Sequence, residues 1–304
     1  MDNAYWDAEF DTMPWNELQA WQRGRLAAFL TDLAKRSPFY ARRLDGVPVA
    51  QAGSPDDWAA VPFTTKDDLR AAQQAATTDA FLGDLQGVDS ADIMQVVASS
   101  GTTGIPVFFG LTETDRQAWS DSVANMFFTA GISEVMGLCD VMPGMWAECP
   151  EGGGMHFTAG RNIFVELIDP GTGAPVPWEP DAHGEAVYTT FTRQATAVVR
   201  FRSRDHLKVV GTACPCGRTS PLIRCVGRTD DMLIYKAMNV FPSAIRDVVL
   251  DAFATEIAGP LRLRKAHADQ VRFDEAMPLE VELPKGRSAA SADDLAERIQ
   301  TAVL

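Results

Sequence analysis

The sequence predicts a mixed chain, α/β followed by α+β: a large N-terminal domain that includes a β-rich segment, then a small C-terminal α+β domain. Three features predict it. Helical periodicity dominates the first 131 residues, short β-branched runs dominate residues 163–210, and strands and helices alternate again beyond about residue 228. The 304 residues suffice for two domains, expected at 1–227 and 228–304, and 46% apolar residues can fill a sizeable core.

The elements follow in order. Leu18, Trp21, Leu26, Phe29, Leu30 and Leu33 recur near helical spacing and predict a helix over 13–36, with Thr12 as its cap, Pro14 in its first turn and Pro38 after its end. A short helix is expected from Thr65, and a strand over Met94–Ala98. The loop Ser99–Gly104 and a second apolar stretch, Val107–Leu111, come next. Thr112 with Asp115 opens a helix whose buried face holds Trp119, Val123, Met126 and Phe127, and Gly131 ends it. Ile163–Ile168, Glu185–Phe191, Thr196–Phe201 and His206–Val210 read as strands. A helix over Ser243–Phe253, strands at Leu261–Ala266 and Leu279–Leu283, and a last amphipathic helix from Ser291 complete the chain.

Composition excludes several classes. A net charge of −14 disfavours nucleic-acid partners, which need a basic surface. No run of the ~18 apolar residues that a membrane span requires is present. The first residues lack the basic and apolar regions of a signal peptide, and five cysteines do not make a complete disulfide framework, so a cytoplasmic location is expected.

Ser99, Ser100, Gly101, Thr102, Thr103 and Gly104 lie between two strand candidates. Glycines let backbone N–H groups approach phosphate oxygens, and the hydroxyls add donors. No Gly-Lys-Ser/Thr follows, so this is not a Walker loop, and the same residues equally suit a Ser/Gly hairpin turn. Cys149, His156, Cys214 and Cys216 form a second constellation. Three thiolates and an imidazole would complete a tetrahedral structural Zn²⁺ site, though the spacing is not that of a zinc finger and also fits four reduced residues in adjacent loops. Cys139 and Cys225 read as core thiols.

Other segments add specificity. Pro62–Arg70, Ser99–Pro106, Ser133–Gly137, Arg200–Asp205, Cys214–Thr219, Gly227–Ile234 and Asn239–Ser243, in this order, resemble the phenylacetate–CoA ligase family of the adenylate-forming superfamily. The resemblance implies an adenylate-forming large domain and a small mobile C-terminal domain. It implies that a small carboxylic acid, of phenylacetate-like aryl type, attacks the α-phosphate of ATP, and that coenzyme A then displaces AMP from the acyl-adenylate. The family's roles map onto Ser99–Gly104 as phosphate loop, Glu134 as the catalytic, Mg²⁺-associated glutamate, Asp205 on the ribose hydroxyls, Arg228 at the nucleotide and Asp230 at the interdomain hinge. Some relatives carry a zinc site like the one outlined above. A homo-oligomer is compatible with the resemblance.

The chain also departs from the family. Only 29 residues separate Gly104 from Glu134, where the family has a large α/β portion that holds much of the acyl pocket and the adenine-stacking segment. The junction at Gly131–Ile132 reads as an internal deletion, which leaves the large domain incomplete and its apolar edges exposed. No lysine follows Lys285, so the family's C-terminal lysine would lie beyond Leu304, and Ile105 stands where many relatives have lysine. The alternative to a ligase is therefore an inactive homologue that binds nucleotide or zinc as an interaction module.

Overall fold

The computed structural model describes residues 5–99, 106–129, 134–228, 233–236, 238–240, 242–266, 270, 272–286 and 289–303. The chain divides into two compact units, residues 1–226 and 227–304.

The first unit opens with helices α1 (Ala8–Asp11), α2 (Trp15–Arg36), α3 (Pro38–Arg43), α4 (Pro55–Ala59) and α5 (Lys66–Gln73). The long helix starts at Trp15 rather than 13, because Thr12 spends its hydroxyl on Ala8 O (2.7 Å) and closes α1 instead of capping α2. Leu18, Leu26, Leu30 and Leu33 of α2 are buried, as the periodicity requires, while Trp21 and Phe29 are half-buried. Gln22 shares the buried face because its amide donates to Gly160 O (2.6 Å) and Ile163 O (2.8 Å). Strands β1 (Gln95–Ala98) and β2 (Phe108–Leu111) pair antiparallel, and helix α6 (Glu113–Thr129) follows. Thr112 and Asp115 cap α6 reciprocally, each side chain accepting the other's backbone N–H at 3.1 Å.

The unit's main sheet has seven strands in the order β3-β4-β5-β9-β8-β7-β6: β3 (Val135–Leu138), β4 (Met142–Glu148), β5 (Met155–Phe157), β6 (Phe164–Ile168), β7 (His183–Thr189), β8 (Phe201–Gly211) and β9 (Leu222–Arg228). Helix α6 packs on β4 and α2 on β6, and the core between holds Leu26, Leu30, Trp146, Phe164 and Tyr188. Gly137 makes the close β3–β4 contact possible, since a Cβ there would lie 1.8 Å from Pro143 O.

Two sequence expectations fail for identifiable reasons. Thr196–Arg200 is a bend, not a strand. Its N–H groups find side chains instead of a neighbouring strand: Val198 donates to Thr190 Oγ1, Val199 to Tyr40 Oη and Arg200 to Thr189 Oγ1, each at 2.9 Å. Phe127 is 69% exposed rather than buried, while its neighbour Met126 takes the buried face. Cys139 likewise is exposed, not a core thiol, whereas Cys225 is half-buried.

The second unit contains β10 (Leu233–Tyr235), β11 (Met238–Val240), α7 (Pro242–Phe253), β12 (Arg262–Leu263), β13 (Arg272–Phe273), β14 (Leu279–Glu280) and α8 (Ala289–Val303). One sheet has the order β11-β10-β13, and β12 pairs with β14. Its core joins Ile245, Val249 and Phe253 of α7 to Leu295 and Ile299 of α8.

Candidate functional site

Ser99 directly follows β1. Its N–H donates to Val107 O (2.9 Å), and its 3%-exposed hydroxyl accepts Val107 N–H (3.0 Å). The side chain therefore ties the base of the loop between the paired strands and faces inward. Ser100, Gly101, Thr102, Thr103 and Gly104 lie outside the described residues, as does Asp230.

Three further candidates sit on or beside the seven-stranded sheet. Glu134 leads into the edge strand β3, half-exposed, and its carbonyl accepts Glu148 N–H (2.9 Å). Arg224 reaches both carboxylates, at 3.8 Å from Glu134 and 4.0 Å from Glu148. Asp205 lies within β8, 7% exposed, and its N–H donates to Ser203 Oγ (3.1 Å). Burial, and then the Asp205 charge, hold the Tyr188 phenol well above its usual pKa, while Trp146 Nε1 donates to Tyr188 Oη at 3.1 Å. The acid is thus set against an aromatic pair that fixes its strand. Arg228 ends β9, exposed, at the start of the second unit.

The cysteine and histidine constellation is gathered from three places. Cys149 follows β4, His156 lies in β5, and Cys214 and Cys216 come from the turn after β8. Their ligand atoms all lie within 4.8 Å of one another. Cys149 Sγ is 3.6 Å from Cys214 Sγ, and Cys216 Sγ is 3.3 Å from His156 Nε2. Tetrahedral zinc, with Zn–S near 2.3 Å and Zn–N near 2.0–2.1 Å, sets donor atoms roughly 3.5–3.8 Å apart, so this donor set suits the ion. Burial, helped by the Arg218 charge, pushes His156 down to about 4, which leaves a neutral imidazole at neutral pH. The connection between Cys149 and His156 turns through Gly152, Gly153 and Gly154, all at positive φ (70°, 89° and 158°). At Gly154 a Cβ would meet Ile223 O at 3.0 Å, so the chain must be bare where β5 meets β9.

Sequence reasoning missed the residues that support these four side chains. Ser220 Oγ stands 3.3 Å from His156 Nδ1 and accepts Phe157 N–H at 3.0 Å, which orients the ring with Nε2 toward the thiols. Arg218 is buried with Asp11, 3.8 Å apart, and Tyr5 Oη donates to Cys216 O at 2.9 Å, so the N-terminal segment clasps the cysteine turn. The proximity of Ser220 to Cys216 in sequence is the one signal that could have raised it.

No family model matches the chain. A phenylacetate–coenzyme A ligase of Thermus thermophilus is 25% identical over 357 positions, covering 80% of this chain and 77% of the relative. One from Escherichia coli is 24% identical and covers 79% and 78%. Both matched stretches are longer than this 304-residue chain, so the relatives carry residues without counterpart here. Among solved structures, a 2-hydroxyisobutyryl-CoA ligase in its postadenylation state superposes with a TM-score of 0.78 at 20% identity, covering 99% of this chain and 87% of that one. The fold is that of the adenylate-forming CoA ligases. Over four-fifths of its length the chain is similar in sequence to phenylacetate–coenzyme A ligases.

Proposed function

We propose that the protein activates an aryl carboxylic acid with ATP and transfers it to coenzyme A. The acid's carboxylate oxygen attacks the α-phosphorus, pyrophosphate leaves, and the acyl-adenylate forms. The CoA thiol then attacks the acyl carbon, losing its proton, and AMP leaves. The observation that supports this function is sequence likeness to phenylacetate–coenzyme A ligases over most of the chain, and the roles given below to Glu134, Asp205 and Arg228 follow from the motif resemblance.

In this scheme residues 1–227 form the adenylation domain and residues 228–304 the small domain. Ser99 anchors the phosphate loop, whose residues 100–104 supply backbone and hydroxyl donors. The Asp205 carboxylate accepts hydrogen bonds from the ribose hydroxyls and fixes the nucleotide. Glu134 is the hard oxygen ligand for Mg²⁺, and Arg224 balances it and Glu148 while no cation is held there. Mg²⁺, when bound, offsets the charge that builds on the phosphates during transfer. Arg228 adds a cation for the nucleotide, and Asp230 serves as the hinge. Cys149, His156, Cys214 and Cys216 hold a structural zinc ion that fixes the turn after β8.

A second function, nucleotide or zinc binding without turnover, is favoured by one observation. Helix α6 ends at Thr129 and β3 begins at Val135, so among the described residues no strand–helix unit lies at the junction where the sequence reads as an internal deletion. Acid-dependent exchange of pyrophosphate into ATP tests the two. Exchange with phenylacetate, lost in Asp205→Ala, is expected for the ligase. AMP binding by calorimetry without exchange for any aryl or alkyl acid would leave the binding module.

A further inference from the structure

Strands β7 and β8 lose register at one place. His206 stands opposite Glu185 and Arg202 opposite Val187, so Ser203, Arg204 and Asp205 together face Ala186 alone. The extra residues form a bulge, and Arg204 within it is left-handed at φ 69°, a conformation that residues with a Cβ rarely adopt. A bulge breaks the ladder, so its backbone groups need other partners. Two side chains supply them. Ser203 Oγ donates to Ala186 O at 2.9 Å and accepts Asp205 N–H at 3.1 Å. Glu185 Oε1 accepts Arg204 N–H at 3.3 Å. Both side chains are buried. The Glu185 carboxylate is itself held by Arg202, whose Nε and Nη2 donate to its two oxygens at 3.0 and 2.6 Å. Arg202 is fixed in turn, since Nη2 also donates to Pro170 O at 2.8 Å and its backbone N–H to Thr64 O at 2.9 Å.

The bulge decides where Asp205 stands. If the register of Glu185 and His206 ran on, Asp205 would sit opposite Ala186 in the ladder; instead its N–H turns to Ser203. A strained backbone such as that of Arg204 persists only where its surroundings over-determine it, and bulges re-aim side chains beside functional sites. Here Ser203 holds the bulge from within β8 and Glu185 holds it from β7. We propose that Ser203 and Glu185 are positioning residues for nucleotide recognition: by holding the bulge they set the Asp205 carboxylate where it takes the ribose hydroxyls. This rests on the reading of Asp205 as the ribose acceptor. Neither residue contacts the nucleotide; each acts through Asp205, so its loss is felt in the hydroxyl contacts and not elsewhere on the ligand.

Calorimetric titration of the full chain with AMP and with 2′,3′-dideoxy-AMP tests it, because the two ligands differ only in the hydroxyls that Asp205 would accept. The unaltered chain is expected to bind AMP about tenfold or more tighter than the dideoxy analogue, and Asp205→Ala to lose that preference. Ser203→Ala should cut the preference to about threefold or less, and Ser203→Thr, which keeps the hydroxyl, should restore it. Glu185→Gln makes the same test from β7 should Ser203→Ala fail to fold. A general loosening of the fold would weaken both ligands alike and leave their ratio at that of the unaltered chain. If Asp205→Ala loses the preference while the folded Ser203→Ala and Glu185→Gln variants keep it, the proposal is overturned and the ribose reading stands. AMP bound no tighter than its dideoxy analogue by the unaltered chain, or a preference that survives Asp205→Ala, would overturn the ribose reading and the proposal together.

Discussion

Arg200 sits at φ 44° with its side chain 6% exposed, and everything around it compensates one buried charge. Its Nε and Nη2 donate to the two oxygens of Glu166 at 3.3 and 3.0 Å, and Nη1 donates to Val61 O at 2.8 Å. The guanidinium lies 4.0 Å from the centre of the Phe63 ring. This residue joins strand β6 to the segment between α4 and α5. Glu166→Ala leaves the cation buried without its partner and should destabilise the first unit by about 3–5 kcal/mol, read from urea denaturation. A paired Arg200→Met, Glu166→Leu replacement should recover most of that loss. At Ser220 the expected effect is on the metal. Ser220→Ala removes the partner of His156 Nδ1 and should weaken zinc retention by about 10–100-fold, measured by competition with a chromogenic chelator.

Elements are set by both local and distant partners. Helix α5 is specified locally: Thr65 and Asp68 exchange cap bonds, with Thr65 N–H donating to Asp68 Oδ2 at 2.8 Å, and Asp68 also pairs with Arg43 of α3 at 3.2 Å. Thr65→Ala should cost about 1 kcal/mol in thermal or urea unfolding. The turn after β8 is specified by distant partners, since its two cysteines meet Cys149 and His156 from other strands. The purified chain should contain one zinc per molecule by mass spectrometry. Chelation at neutral pH, or Cys214→Ser, should lower the melting temperature of the first unit, and a chain free of zinc with unchanged melting under chelator would refute the structural role.

Over the whole molecule, exposed apolar side chains mark what this chain does not cover for itself. Phe127 (69%), Phe128 (45%) and Trp6 (48%) lie at one end of α6, where Trp6 and Phe128 rings meet at 6.2 Å. Met94 (64%) precedes β1, and Val135 (50%) stands on the edge strand β3. Edge strands and apolar patches of this kind associate in water. Sedimentation should therefore show concentration-dependent association that the Phe127→Glu, Phe128→Glu double variant suppresses. A monomer at high concentration before substitution would show that the patch is too small to drive contact.

The start of α5 near Thr65, the cap of α6, the buried stripe of α2, the likeness to CoA ligases and the grouping of Cys149, His156, Cys214 and Cys216 were all legible in the sequence, because each depends on neighbours within a few positions or on motif order. Tertiary structure alone decided the rest. It turned the Ser99 hydroxyl inward onto Val107, and it made Thr196–Arg200 a bend because Tyr40, Thr189 and Thr190 side chains took the strand's hydrogen bonds. It left Phe127 in water despite its helical register, and it brought Ser220 and Arg218 to the cysteine turn. Periodicity reports which face of an element is apolar. Whether another element arrives to cover that face, or a distant side chain arrives to satisfy a backbone group, is fixed only when the chain closes on itself.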